Sequence, residues 1–177
     1  TEVIEENALL EYRKKQQIAK IKGVGDGYSS ICGIDSMIID GDFFLKTQNT
    51  YHAVIGYGIA DMLSAPAKSM MPLKVWVPKR SQKVFLNPGD AFRTKAVSIS
   101  GIFFFFSEID YEYVIVSIEF MRKLLNYQNE VSSIEIKLKE HLSQSEKSRV
   151  QNEIQKIAGN QFSVKNRYQQ HEFLYKV

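Results

Sequence analysis

The chain has 177 residues, 44% of them hydrophobic and 24% charged, and its 23 basic and 20 acidic side chains leave a net charge of +3. This is globular composition, enough for one ordinary domain or two small lobes, and it excludes a disordered chain. Charges are scattered without a single-sign stripe, which argues against nucleic acid as a partner, and the lone Cys32 excludes an internal disulfide and a thiolate metal site.

In chain order, TEVIEENALLEYRKKQQIAKIKGV mixes helix formers with an alternating AKIK, and is read as a hairpin turning near Arg13 to Lys15. GVGDGYSS follows as a loop, and Cys32, between Ile31 and Gly33, reads as a small buried apolar residue. MIIDGDFFL turns at Asp40, Gly41 and Asp42. HAVIGYGIADMLSAP predicts a strand through Val54 and Ile55, a glycine turn, and a short helix carrying Ile59, Met62 and Leu63 that stops before Pro66. LKVWVP and KAVSISGIFFFF predict two strands joined by a long protruding hairpin, Lys79 to Thr94, with a turn at Asn87, Pro88 and Gly89.

After a short acidic gap, EYVIVS predicts another strand, and Ser117 caps a helix whose Met121, Leu124 and Leu125 share one face. SSIEIKLKE alternates Ile134, Ile136 and Leu138 with charged residues, the pattern of a half-buried strand. Ser143 and Glu146 have capping-box spacing, Val150, Ile154 and Ile157 form a helical stripe, Gly159 stands at the helix end, and Phe162 and Val164 begin a strand. The succession points to an α+β fold of mixed sheets with a split βαβ lobe; no internal repeat is visible in the sequence.

Chemistry is sparse. His52, His141 and His171 lie far apart without metal-ligand spacing, and GVGDG lacks the Gly-Lys-Ser/Thr of a phosphate loop. Asp40 with Asp42, and Glu108 with Asp110, are carboxylate pairs better explained by turns than by acid and base work. No catalytic, metal or cofactor residue is assigned. The run Gly101 to Phe106 is far shorter than the about 20 residues of a membrane span, so it is a buried strand or a sticky surface. Alternation puts Ile102, Phe104 and Phe106 on one side and Phe103 and Phe105 on the other. The second pair then needs another layer, expected between two lobes, with a cargo surface as the alternative.

The ordered series AVIGYGIADMLSA, LKVWVP, a hairpin insert, and VSISGIFFFFSEIDYEYVIVSIEFMRKLL resembles the extracytoplasmic domain of ABC-transporter permeases of the MacB, LolC/LolE and FtsX superfamily. The residues that carry the resemblance are Val54 to Gly56, Leu63, Gly101 to Phe103, Glu108 to Asp110, Val114 to Val116, and Leu124 with Leu125. The insert from Lys79 to Thr94 lies where the lipoprotein-releasing LolC/LolE branch carries a chaperone-contacting hairpin, and NRYQQHEFLYKV resembles the approach to a second membrane helix. Two departures accompany the likeness: the strand and helix expected after a first membrane helix are missing, and the insert does not match residue by residue. Both ends read as cuts in a longer protein.

The resemblance implies a MacB-like periplasmic domain, with a β-rich lobe over roughly 20–115 and a porter-like α+β lobe over 116–177 plus the N-terminal segment. It implies a place outside the bacterial inner membrane, anchored by flanking membrane helices, and no enzymatic activity of the chain itself, since ATP hydrolysis would sit in a cytoplasmic ABC ATPase subunit. Further partners so implied are a second permease copy or paralogue, a lipoprotein cargo and a periplasmic carrier chaperone. Phe85, Leu86 and Pro88 near the insert tip are candidates for partner contact, and Phe103, Phe105, Met70 and Met71 for a cargo or lobe interface. The alternatives are MacB-like export of peptides or small molecules, FtsX-like regulation of cell-wall hydrolases, and a soluble hydrolase lobe using Asp40, Asp42 or Glu108.

Overall fold

The computed structural model describes residues 1–80, 88–105, 108–139, 141–166 and 169. The chain divides into two compact units, Thr1–Ile136 and Lys137–Val177.

The first unit opens with β1 (Glu2–Tyr12) and β2 (Lys15–Val24), an antiparallel hairpin paired from Val3↔Val24 to Tyr12↔Lys15. Its two-residue turn holds Arg13 at φ 55. A one-turn helix α1 (Tyr28–Cys32), a 3-10 turn (Ile34–Met37) and β3 (Ile38–Gly41) follow, and then β4 (His52–Gly56) runs directly into α2 (Tyr57–Leu63). Next come β5 (Leu73–Pro78), β6 (Phe92–Phe103), the single turn α3 (Ile109–Glu112), β7 (Tyr113–Ser117), α4 (Ile118–Leu125) and the short β8 (Ser133–Ile134).

Pairing closes the sheet on itself. The strand order β2-β7-β4-β6-β5-β1 returns to its start because β1 also pairs with β2, so six strands form a barrel, with β3 added beside β6 and β8 beside β1. Inward-facing residues alternate along each strand, as barrel geometry demands. Ile4, Ala8, Leu10 and Tyr12 of β1 meet Ala19 and Ile21 of β2, Leu73, Val75 and Val77 of β5, and Val114 and Val116 of β7 in one core cluster.

The barrel has a topological two-fold that the sequence does not display. A hairpin, a connector, a strand and a helix occur twice: β1, β2, β4, α2 and then β5, β6, β7, α4. Exchanging the halves maps every ring pairing onto another: the two hairpins interchange, parallel β2–β7 becomes parallel β6–β4, and antiparallel β4–β7 and β1–β5 map onto themselves. Local geometry repeats as well. Gly56 and Ser117 are extended junctions before their helices, and Ser64 and Asn126 are left-handed caps after them. Because β4 and β7 are antiparallel, α2 and α4 leave from opposite ends of the barrel.

A bulge in β6 explains the phenylalanine run. Ala53 faces Ile99 but Val54 faces Gly101, so Ser100 is the extra residue, and its buried hydroxyl donates to the carbonyls of Phe44 at 2.7 Å and Ala53 at 3.2 Å. The bulge shifts the alternation by one residue. Val97 and Ile99 point inward before it, Ile102 points inward after it, and Phe103 turns outward. There Phe103, 0% exposed, joins Val3, Val24, Tyr28, Ile34, Val54 and Ile115 in a second cluster on the barrel's outer wall.

In the second unit, α5 (Gln144–Ala158) begins with the expected capping box between Ser143 and Glu146 and is followed by Gly159 at φ 74. Two expectations fail in this stretch and just before it. The strand predicted across 132–140 is reduced, among the described residues, to β8, with Ile134 and Ile136 largely exposed, and 162–164 form no strand. Glutamine side chains replace a strand partner: Gln155 donates to the carbonyls of Gly159 and Phe162 and accepts from the Val164 amide at 2.9 Å, while Gln151 donates to the Val164 carbonyl. The apolar stripe of α5 has no buried member, and Ile157 is 87% exposed.

Phe103→Ala is expected to cost about 3–5 kcal/mol, read as a lower urea midpoint at constant slope, because it empties a filled layer. Phe104→Ala, which removes a ring packed edge-on against half-exposed Tyr57, should cost clearly less. Equal losses would contradict the inward and outward assignment.

Candidate functional site

The two barrel ends carry the residues that could meet a partner. At the α2 end, three segments are tied together. The buried Tyr12 hydroxyl lies 2.6 Å from the Ser69 hydroxyl, which also accepts from the Met71 amide at 3.1 Å, and Lys15 donates to the Ser64 hydroxyl at 2.7 Å. This leaves Met70 fully exposed and Met71 half exposed on a short loop beside the exposed Arg13 and Lys14 of the hairpin turn. Met62 of α2 is half exposed as well.

At the α4 end lies the base of the β5–β6 hairpin. Its last strand pair is Pro78↔Phe92, and the Lys79 amide donates to the Ala91 carbonyl at 2.7 Å. Arg80 pairs with Glu6 of β1 at 2.6 Å, tying the base of the insert to the barrel wall. Pro88 opens a 3-10 turn, Pro88–Ala91, that leads back into β6. Phe85 and Leu86 lie outside the described residues.

Phe103 and Phe105 sit on the outer wall rather than at either end. Their rings meet edge to face at 5.4 Å, and the Phe105 amide donates to the buried Asp110 carboxylate at 2.7 Å. All members of this cluster belong to the first unit. Asp110 is thus a structural acceptor, and its backbone packs so closely on Gly56 that a side chain there has no room. The other candidate carboxylate, Asp42, pairs with Lys68 at 2.9 Å.

Cys32 corrects the sequence reading: it is exposed. One helical turn cannot bury every residue, and α1 spends its inward position on Tyr28. The same stretch shows why GVGDG looks like a phosphate loop without being one, since Gly27 at φ 77 opens a helix of only five residues. His52 packs its ring against Phe44 at 4.6 Å and desolvation lowers its pKa. His141 occupies a positive-φ position, and His171 lies outside the described residues. Among the described residues no three His, Cys, Asp or Glu side chains converge on a metal-sized point.

Against the outer wall, Lys22 is largely buried between Glu135 at 2.5 Å and Glu5 at 3.4 Å, with its ammonium 5.4 Å from the Tyr28 ring centre. Sequence reasoning passed over this cluster, and its only signal was a lysine in an inward-and-outward alternating strand. Tyr28 also lines a cavity of about 210 Å³ with Gly25, Asp26, Phe43 and Ser117, which the ion pair of Lys46 and Glu119 at 3.3 Å adjoins.

No family model matches this chain, and no curated protein matches it in sequence. Among solved structures it is similar to the periplasmic region of MacB from Actinobacillus actinomycetemcomitans, at 10% identity and a TM-score of 0.62, covering 99% of this chain and 75% of that one. It is also similar to the extracellular domain of the ABC-type transporter YknZ from Gram-positive bacteria, at 15% identity and a TM-score of 0.49, covering 75% of this chain. A domain of a permease from Porphyromonas gingivalis is similar at 16% identity and a TM-score of 0.43, covering 90%. The chain spans 64% of the YknZ domain and 62% of the permease domain. Among the described residues no helix is long and apolar enough to cross a membrane.

Burial pushes the Tyr28 hydroxyl from an ordinary 10.0 up to about 12, against the opposing effect of Lys22. The folded chain therefore keeps this proton over a range in which the unfolded chain releases it. Stability present below about pH 10 is lost as pH rises toward 12. Tyr28→Phe should flatten this part of the alkaline decline in urea titrations; an unchanged slope would assign the decline to other groups. The chain, with its closed ring and helix-capped ends, thus has a fold like that of the MacB periplasmic region.

Proposed function

We propose that this chain is the extracytoplasmic domain of an ABC-transporter permease, held outside the bacterial inner membrane by flanking membrane helices, and that it transmits their ATP-driven motion to release or hand over lipoproteins. The observation that carries the reading is the fold shared with the MacB periplasmic region over 99% of the chain. On this reading, ATP is hydrolysed by a separate cytoplasmic subunit, a second permease copy or paralogue completes the transporter, and a periplasmic carrier receives the cargo.

The barrel suits such a task mechanically. Six strands in a closed ring leave no free edge among themselves, which suits a body that passes motion on rather than absorbing it locally. The insert on the β5–β6 hairpin, tied down through Arg80 and Glu6, gives the lipoprotein reading its docking element. The likeness to MacB favours one second reading, export of peptides or small molecules through a periplasmic adaptor.

Photo-crosslinking in the intact permease in its native membrane separates the two. Probes at Pro88, Phe92 and Met70 should capture lipoproteins or their carrier, chiefly at the insert positions. Capture of an adaptor protein at those positions instead would replace lipoprotein release by export, and a chain whose full gene carries no flanking membrane helices would end both.

A further inference from the structure

The barrel unit ends in a short strap, residues 132–136, that lies along the start of β1. Ile134 stands opposite Glu2 and Ser133 opposite Val3. The Ser132 amide donates to the Val3 carbonyl at 2.8 Å, the Glu135 amide to the Thr1 carbonyl at 2.9 Å, and the Thr1 nitrogen to the Glu135 carbonyl at 2.6 Å. The Ser132 hydroxyl accepts from the Glu5 amide at 3.0 Å. Apolar side chains do not hold the strap down, because Ile134 is 65% exposed and Ile136 58%. Burial of apolar area is the main favourable term in folding, so a segment without it depends on polar contacts of small net worth.

The deepest contact of the strap is charged. The Glu135 carboxylate accepts from the Lys22 ammonium at 2.5 Å, and the lysine side chain is only 13% exposed. Such a pair ordinarily acts as a lock, since removing one partner strands the other charge away from water. Lys22 escapes that penalty. A second carboxylate, Glu5, lies 3.4 Å from the same ammonium and stands directly opposite Lys22 in the β1–β2 ladder. The Tyr28 ring, centred 5.4 Å from the ammonium, is packed into the outer-wall cluster of the barrel. With the strap away, Lys22 keeps both Glu5 and Tyr28. With the strap in place, two carboxylates share one cation and repel each other.

We propose that residues 132–136 are a releasable strap, closed by Lys22 on Glu135 and opened without stranding a buried charge because Glu5 takes over the lysine. The strap ends at Ile136, where the barrel unit gives way to the second unit at Lys137. Its state therefore sets the tether of that second unit: opening adds the strap to the tether, roughly 17 Å of chain when extended. The device goes beyond the permease reading and does not depend on it, because it rests on contacts within the barrel unit alone.

Residue-resolved amide hydrogen exchange on the 177-residue chain tests this. The closed strap protects the Ser132 and Glu135 amides, so their exchange reports how often it opens. In the parent chain both should exchange faster than amides in the middle of the β1–β2 ladder, which open only with the barrel. Glu135→Gln removes the charge of the strap and should speed exchange at Ser132 about tenfold, the loss of one charge-assisted hydrogen bond. Glu5→Gln removes the reserve partner and should act in the opposite direction, slowing exchange at Ser132 by about two- to fivefold, the range of a partly exposed ion pair. A purely structural cluster would be loosened by either change, so the opposite signs are the signature. Mid-ladder exchange and the thermal midpoint should match the parent in both variants, which separates strap opening from unfolding. Faster exchange at Ser132 in both variants, no change in either, or parent strap amides as slow as the mid-ladder ones would overturn the proposal.

Discussion

Closure of the ring by the β1–β2 hairpin is the constraint on which the rest of this structure depends. β1 offers one edge to β5 and β2 offers one to β7, so the same ten backbone pairings that zip the hairpin also complete the barrel. Without them the remaining strands form an open sheet whose inner face, lined by Ile55, Val75, Val77 and Val114, would meet water. An exposed edge and an exposed apolar face are both aggregation liabilities, and closure removes them together. It also fixes where the ends lie, and hence which loops are free to meet other molecules.

Within that ring, β6 carries the largest burden. It pairs with β5 along its first half and with β4 and β3 along its second, and it feeds two cores. A regular strand would have sent Ile99, Gly101 and Phe103 to one side, putting a large ring into an interior that has already been filled. The extra residue at Ser100 reverses the phase, so Ile102 fills the barrel and Phe103 seals the outer wall. The cost of the bulge, a buried hydroxyl, is met by two carbonyl acceptors. Gly101 is required at this point because the backbone of Asp42 lies 2.7 Å from where its Cβ would stand.

The repeated hairpin, strand and helix arrangement then gives the barrel two ends that are alike in plan and different in surface. One end carries methionines and an exposed basic turn, the other the base of the β5–β6 hairpin. A scaffold of this kind can diverge at its ends while its ring stays fixed, because the end loops contribute little to the inner core. That division of labour suits a domain whose proposed task is to pass on motion and to meet partners rather than to transform a substrate.

Local chemistry in the sequence determined the strands and helices that bury their own faces: LKVWVP and YVIVS by alternation, α4 by its stripe and the Ser117 cap, and the start of α5 by its capping box. The ordered series of short motifs also carried the resemblance to permease extracytoplasmic domains, whose fold the chain shares with the MacB periplasmic region. Tertiary structure decided the rest. Ring closure, the two-fold topology and the phase shift in β6 depend on pairings between residues far apart in the chain, which no local pattern encodes. The alternation of Ile134, Ile136 and Leu138 looked like a strand yet yielded only β8, because alternation becomes a strand only where a neighbouring edge is available to pair with it.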